Sequence, residues 1–180
     1  MLLQLLKRSL FFIALGATTA LHLNITAIGA RDGRSTLECW QLEEEFIISN
    51  TAGVAGSASA VLSDAANSSI VVIPSGFDGG LHNAPHNQWV LFTTGLALIT
   101  LPENNSAKAY VTGGEFGLIF AADTADVSRL GHRTQYPGIT ETIAIQIPTK
   151  DNRVPAHTCL YDGACSAGEV VGLRGLAVAG

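Results

Sequence analysis

The feature that most constrains this chain is a recurrence of short apolar runs, each stopped by glycine, proline or a cluster of Asn, Asp and Ser. Ile70 to Ile73 ends at Pro74, Gln88 to Thr93 at Thr94-Gly95, and Leu96 to Leu101 at Pro102. Lys108 to Thr112 ends at Gly113-Gly114, Phe116 to Ala122 at Asp123, and Thr140 to Ile147 at Pro148. Runs this short are strand-length, and β-branched and aromatic residues fill them. Ser35 to Ser49 adds one or two extended segments interrupted by Glu43 to Glu45, and Ala60 to Leu62 another. About eight to ten strands at this spacing predict a sandwich or barrel.

Alternation places Gln88, Val90 and Phe92 on one face of their strand and Trp89, Leu91 and Thr93 on the other. It does the same for Ile143, Ile145 and Ile147 against Thr142, Ala144 and Gln146. Periodicity alone leaves open which face is inside. Glycines 76, 79 and 80 predict a sharp turn into Leu81 and His82, and residues 123–138 read as a long irregular connection holding His132 and Tyr136. Asp78, Asp123 and Asp126 read as turn formers, and His22 and His157 as ordinary exposed residues.

With 180 residues and 14% charged side chains, the chain is one ordered domain. Its net charge is -5 and its basic residues are scattered, which argues against nucleic acid as a partner. The first 20 residues follow the plan of a signal peptide: Lys7 and Arg8, an apolar run from Leu10 to Ala17, then small residues, with cleavage near Ala20. A secreted protein with no membrane span in its mature form follows, with a barrel domain over 21–165 and a Gly-rich, flexible tail over 166–180. Sequons at Asn24, Asn67 and Asn104 agree with a secretory route. Of the three cysteines, Cys39, Cys159 and Cys165, one pair is expected to bridge, and Cys39 with Cys165 would tie the start of the fold to its end.

His82, His86 and His132 sit at strand ends or connections, where an imidazole serves as metal ligand, acid–base group or hydrogen-bond donor. No G-x-S-x-G pattern accompanies them, which gives no support to a hydrolase. The order His82, Gln88, Gly95, then His132 after an intervening hairpin, resembles the two-motif layout of the cupin superfamily, whose members are double-sheet jelly-roll barrels. That resemblance implies two histidines and a glutamate in the first motif and a further histidine in the second. Here Gln88 stands where the glutamate would be, Ala84 occupies the second histidine's place, and His86 is displaced. The implied metal set is therefore incomplete, and a site without metal is preferred to one with a divalent metal.

The segments STLECW, FDGGLHNAP, TGLALITLP, GLIFAADTADVS, GHRTQYPG and ETIAIQIPTKD are in addition similar to a group of small secreted fungal proteins with cupin-like barrels. Members of that group act as hetero-Diels-Alderases in tropolonic sesquiterpenoid biosynthesis. The resemblance implies a cyclase coupling a tropolone quinone methide to a humulene-type alkene. His82, Gln88 and His132 are then the catalytic candidates, and Trp40, His86, Trp89, Phe92 and Tyr136 the residues that contact a small, apolar, oxygenated substrate. A metal-dependent cupin enzyme and a non-catalytic secreted binding protein are the alternatives. Trp40 also has a purely structural reading, as a core aromatic packed beside Cys39.

Overall fold

The computed structural model describes residues 21–170; the expected signal peptide and the last ten residues of the expected tail lie outside them. Thirteen strands are found among the described residues: β1 (His22–Arg31), β2 (Arg34–Glu45), β3 (Ile47–Ile48), β4 (Ala58–Ser59), β5 (Ser69–Ile73), β6 (Asp78–His82), β7 (Gln88–Phe92), β8 (Leu96–Leu101), β9 (Asn104–Thr112), β10 (Leu118–Ala121), β11 (His132–Gln135), β12 (Thr142–Pro148) and β13 (His157–Asp162). A seven-stranded sheet has the order β13-β2-β1-β10-β7-β12-β5, and a four-stranded sheet the order β6-β11-β8-β9.

Within these two sheets, β5 to β12 form a jelly roll. The run β5-β12-β7-β10 faces β6-β11-β8-β9, and successive strands from β5 to β8 alternate between the two sheets, as two Greek keys require. The β1–β2 hairpin extends the larger sheet through a parallel contact between β1 and β10, and β13 then adds to β2. Asp32 and Gly33 make the hairpin turn, both with positive φ, the backbone that an Asp-Gly two-residue turn supplies. Short Pro- and Gly-ended runs thus became strands because each buries one face against the opposite sheet.

Between the sheets lies a core of Ile28, Leu37, Val90, Phe92, Ile99, Val111 and Ile119 with several alanines. Full burial of each large side chain contributes roughly 1.5–3 kcal/mol. A second cluster, containing Ile25, Trp40, Leu42, Trp89 and Phe120, lies on the outer face of the large sheet, where Phe46 and Leu62 from the segment around β3 and β4 pack on it. Both faces of β7 are therefore buried. Trp89 meets Phe120 edge-on at 4.8 Å and donates from Nε1 to Ser63 Oγ at 3.0 Å.

The structure corrects several expectations. The glycine turn at 78–82 is the strand β6, and the irregular connection contains β11. Asp123 is a fully buried partner of His132 instead of a turn former. The acidic triplet does not interrupt β2, which runs through to Glu45. His157 is half-buried and stacked on Trp40 at 3.5 Å. The expected disulfide between Cys39 and Cys165 is present, and Cys159 is free and exposed. After the bridge, Ala167–Val170 makes one helical turn whose Glu169 accepts from the Ser166 backbone N–H and hydroxyl, both at 2.7 Å, as in a capping box.

Candidate functional site

A cavity of about 110 Å³, open at one end, lies between the sheets of the jelly roll. It exists because the strands around it point small side chains inward: Ala84, Ala121 and Ala144 line it beside Val90, Phe92 and Ile99. On β12 the inward residues are Ala144 and Gln146, so Ile143 and Ile145 face outward. This resolves the face ambiguity left by alternation: packing around the hollow, not hydrophobicity of the strand, decides the inside face.

Two imidazoles stand at one end. In the β6–β11 ladder His82 is the cross-strand partner of His132, so the pleat puts both rings on the same face. Their centroids are 4.5 Å apart. Arg133, the next residue, points outward and pairs with Asp78 of β6, whose carboxyl it pulls down to about 2. Gly131 sits just before His132 with φ +67, and a Cβ there would lie 2.0 Å from the His82 carbonyl oxygen. The close approach of β6 to β11 at the histidines thus needs glycine.

His132 is 4% exposed, and its Nδ1 lies 2.7 Å from Oδ2 of Asp123, which is fully buried. The same oxygen accepts from Ser35 Oγ at 2.7 Å, and the other carboxylate oxygen accepts from the Ala84 N–H at 3.4 Å. Ser35 also shares a hydrogen bond with Ser128, and Asn83 donates to the main-chain oxygens of Asp123 and Ser128. With Nδ1 held by the carboxylate, Nε2 is the His132 nitrogen left for a ligand. His82 is at the exposed end, with Nδ1 3.0 Å from the Gly80 carbonyl. Desolvation, then the neighbouring His132, lower its pKa, so it is neutral at neutral pH.

Gln88 and Tyr136 complete the polar part of the lining, with Thr134 and Gln146. Gln88 is 4% exposed, yet its carboxamide has no side-chain hydrogen-bond partner among the described residues. Burial raises the Tyr136 pKa and keeps its hydroxyl a donor. The cavity thus joins an aliphatic wall to a polar one made of His132, His82, Gln88, Tyr136, Thr134 and Gln146.

Of the residues nominated from sequence, His82, Gln88, His132, Phe92 and Tyr136 line the same cavity. Trp40 and Trp89 do not: both belong to the cluster on the outer face of the large sheet. Trp89 has the opposite parity to the cavity-facing Gln88, Val90 and Phe92 of β7, and Trp40 lies on β2, from which no residue lines the cavity. His86 is exposed and outside the cavity lining. Asn67 and Asn104 are exposed, whereas Asn24 is half-buried in β1 and accepts from Gln41 Nε2 at 3.2 Å. The residue missed in sequence was Asp123. Its only signal is an acidic residue following a buried apolar strand, which reads equally as a turn.

The donor set does not fit an ordinary protein metal site. Groups of three ligating side chains occur among the described residues only at Glu38, Cys159 and Asp162, and at Cys39, Cys165 and Glu169, where the two sulfurs are already bonded to each other. At the cavity there are two imidazoles and a neutral amide, without the carboxylate or third imidazole that usually completes such a set.

No protein-family model matches the chain, and no curated protein matches it. Among solved structures it is similar to a protein from Bacillus halodurans, with 20% identity over 53% of this chain and 70% of the other and a TM-score of 0.36. It is also similar to a cupin-like protein from Thermotoga maritima, with 16% identity over 81% and 91% of the two chains and the same TM-score of 0.36. These likenesses are too distant to say anything of function. The strand order defines an all-β protein of the double-sheet jelly-roll class, with a hollow between its sheets.

Proposed function

We propose that this chain is a secreted enzyme that moves a proton on a small, oxygenated, largely apolar substrate held between its two sheets. One observation carries the reading: an imidazole fixed through Nδ1 by a buried carboxylate, with Nε2 left toward a cavity that also holds an uncommitted amide. A carboxylate in that place orients the ring and stabilises the charge it gains, the arrangement that suits general acid–base catalysis. Gln88 and Tyr136 would hold the substrate oxygen, and the aliphatic walls would take its hydrocarbon part.

The finer reading follows the resemblance to the fungal hetero-Diels-Alderases. Nε2 of His132 would take the ring hydroxyl's proton and hand it on to a hydroxyl leaving group as its C–O bond breaks and water departs, leaving a quinone methide and the imidazole as it began. The following cycloaddition needs alignment of two reactants above all, and such alignment is worth up to about 7–11 kcal/mol of the barrier. A volume of 110 Å³ is below the ~300–1,000 Å³ of sites that enclose a drug-sized molecule. It suits the oxygenated ring alone, so the alkene would lie at the mouth, where exposed Phe77 stands 6.2 Å from Tyr136.

The test is incubation of purified protein with a hydroxymethyl tropolone and a humulene-type alkene. Faster, stereoselective adduct formation that is lost in His132→Gln supports the enzyme. A product rate and stereochemistry equal to the protein-free control reduce the reading to a binding protein. Stoichiometric iron, manganese or zinc that is lost in His82→Ala or His132→Ala would instead favour the metal-dependent alternative.

A further inference from the structure

A concavity larger than this cavity lies on another part of the molecule. It is an open cleft of about 880 Å³ at the β1–β2 hairpin, roofed by β9 and by the connection before β11. In a chain of net charge -5, its walls gather Arg31, Arg34, Lys108 and Arg129, against only Arg133, Lys150 and Arg153 elsewhere among the described residues. Three acidic residues share the walls, Asp32, Glu103 and Asp162.

The pairing inside the cleft is uneven. Arg31 is taken by Asp162 at 3.1 Å and Glu38 at 3.3 Å, and Arg34 by Glu103 at 3.3 Å. Lys108 and Arg129 have no carboxylate within ion-pair distance among the described residues. Arg129 is nonetheless placed: its N–H donates to the Gly33 carbonyl at 3.0 Å, and its guanidinium lies so close over the turn that a Cβ on Gly33 would sit 3.2 Å from Nη1. The Arg129 guanidinium and Lys108 line one concave space, with Ser35 and Ser106 beside them and Leu37 and Leu101 in its wall. Planar guanidinium and ammonium groups together recognise carboxylate and phosphate oxygens, and a concave wall raises their local potential.

We propose that this cleft is a second binding site, which takes a small organic anion bearing two or more carboxylate or phosphate oxygens between Lys108 and Arg129. The apolar wall would carry the anion's carbon skeleton. Asn104, itself a cleft residue, heads a sequon, so a glycan there would stand at the same opening.

Calorimetric titration with inorganic phosphate and with citrate, at low ionic strength on endoglycosidase-treated protein, tests the site. The expected result is saturable binding of at least one of the two. It should weaken tenfold or more in the Lys108→Gln, Arg129→Gln double variant and stay unchanged in Lys150→Gln, Arg153→Gln. Both doubles exchange exposed side chains, and their melting curves report whether the fold is kept. Absence of saturation by either anion up to about 10 mM overturns the proposal, and so does equal weakening in both doubles, which would mean unspecific charge attraction. Binding retained in His132→Gln would show that the cleft stands apart from the acid–base cavity, whatever the fate of the catalytic reading.

Discussion

Replacing Asp123 with alanine removes the acceptor of two 2.7 Å hydrogen bonds, from His132 Nδ1 and Ser35 Oγ, at a site with no exposure to solvent. Hydrogen bonds to an ionised group contribute about 1.5–3 kcal/mol each. Ser35 keeps Ser128 as a partner, so its share falls at the low end, while His132 is left with an unpaired buried nitrogen. Breaking a buried pair by removing one member costs about 3–5 kcal/mol, and about 3 kcal/mol is the expectation here. For a domain of this size that lowers Tm by roughly 6–12 °C.

Asp123→Asn keeps the volume but not the acceptors. An amide oxygen placed for His132 and Ser35 turns the NH₂ group toward the Ala84 N–H, which now donates to Oδ1; the reverse orientation turns NH₂ toward His132. About 1–3 kcal/mol is lost in either case. Urea unfolding with an unchanged m-value measures both, and nitrogen NMR shifts of His132 report the tautomer. A loss below about 1 kcal/mol in Asp123→Ala, or a neutral wild-type His132 carrying its proton on Nε2, refutes the role given to this pair.

Because the folded pKa of His82 lies below its unfolded value of about 6.5, the unfolded chain binds more protons below that pH. Stability is therefore fully present above about pH 6.5 and falls as the pH drops toward the folded value; urea midpoints between pH 7 and 5 should show a shallower slope in His82→Gln. Gly131→Ala forces a Cβ against the His82 carbonyl at positive φ and should cost more than about 1 kcal/mol, read as a lower denaturation midpoint with loss of ring-current shifts between the two histidines. Ala144→Phe puts a ring into a cavity of about 110 Å³ while leaving the His132–Asp123 pair in place, so ligand binding should vanish while the Nδ1–H signal of His132 persists. Removing the disulfide by Cys39→Ser and Cys165→Ser frees a loop with a sequence separation of 126, which the chain-entropy relation values at about 5 kcal/mol at most; an unchanged urea midpoint would refute that contribution. Native alkylation should label only Cys159, and slowly, because desolvation and the neighbouring Glu38 and Asp162 raise its pKa.

The sequence by itself determined the class of fold. Runs such as Leu96 to Leu101, closed by Gly95 on one side and Pro102 on the other, are strands in any context, and β8 has those bounds. Of the eight residues nominated with the help of the cupin-like resemblance, His82, Gln88, Phe92, His132 and Tyr136 line one cavity, and Trp40, His86 and Trp89 do not. Asp32-Gly33 carries the hairpin signal for β1 and β2, and Leu23, Ile25 and Ala27 alternate with His22, Asn24 and Thr26 before it, so β1 is legible in local spacing although the strand count from sequence left it out.

Tertiary structure decided the rest. Both faces of β7 are buried, so nothing in alternation distinguishes the face of Trp89 from that of Gln88, and only the layer around the outer sheet assigned Trp40 and Trp89 away from the cavity. The cavity itself arises from where Ala84, Ala121 and Ala144 meet, residues separated in sequence and unremarkable singly. Asp123 became the partner of His132 because β1, β2 and β10 bring Ser35 and Asp123 together across 88 residues. Secondary structure is written in local spacing, whereas a hollow and a buried charge pair depend on long-range contacts that spacing does not encode.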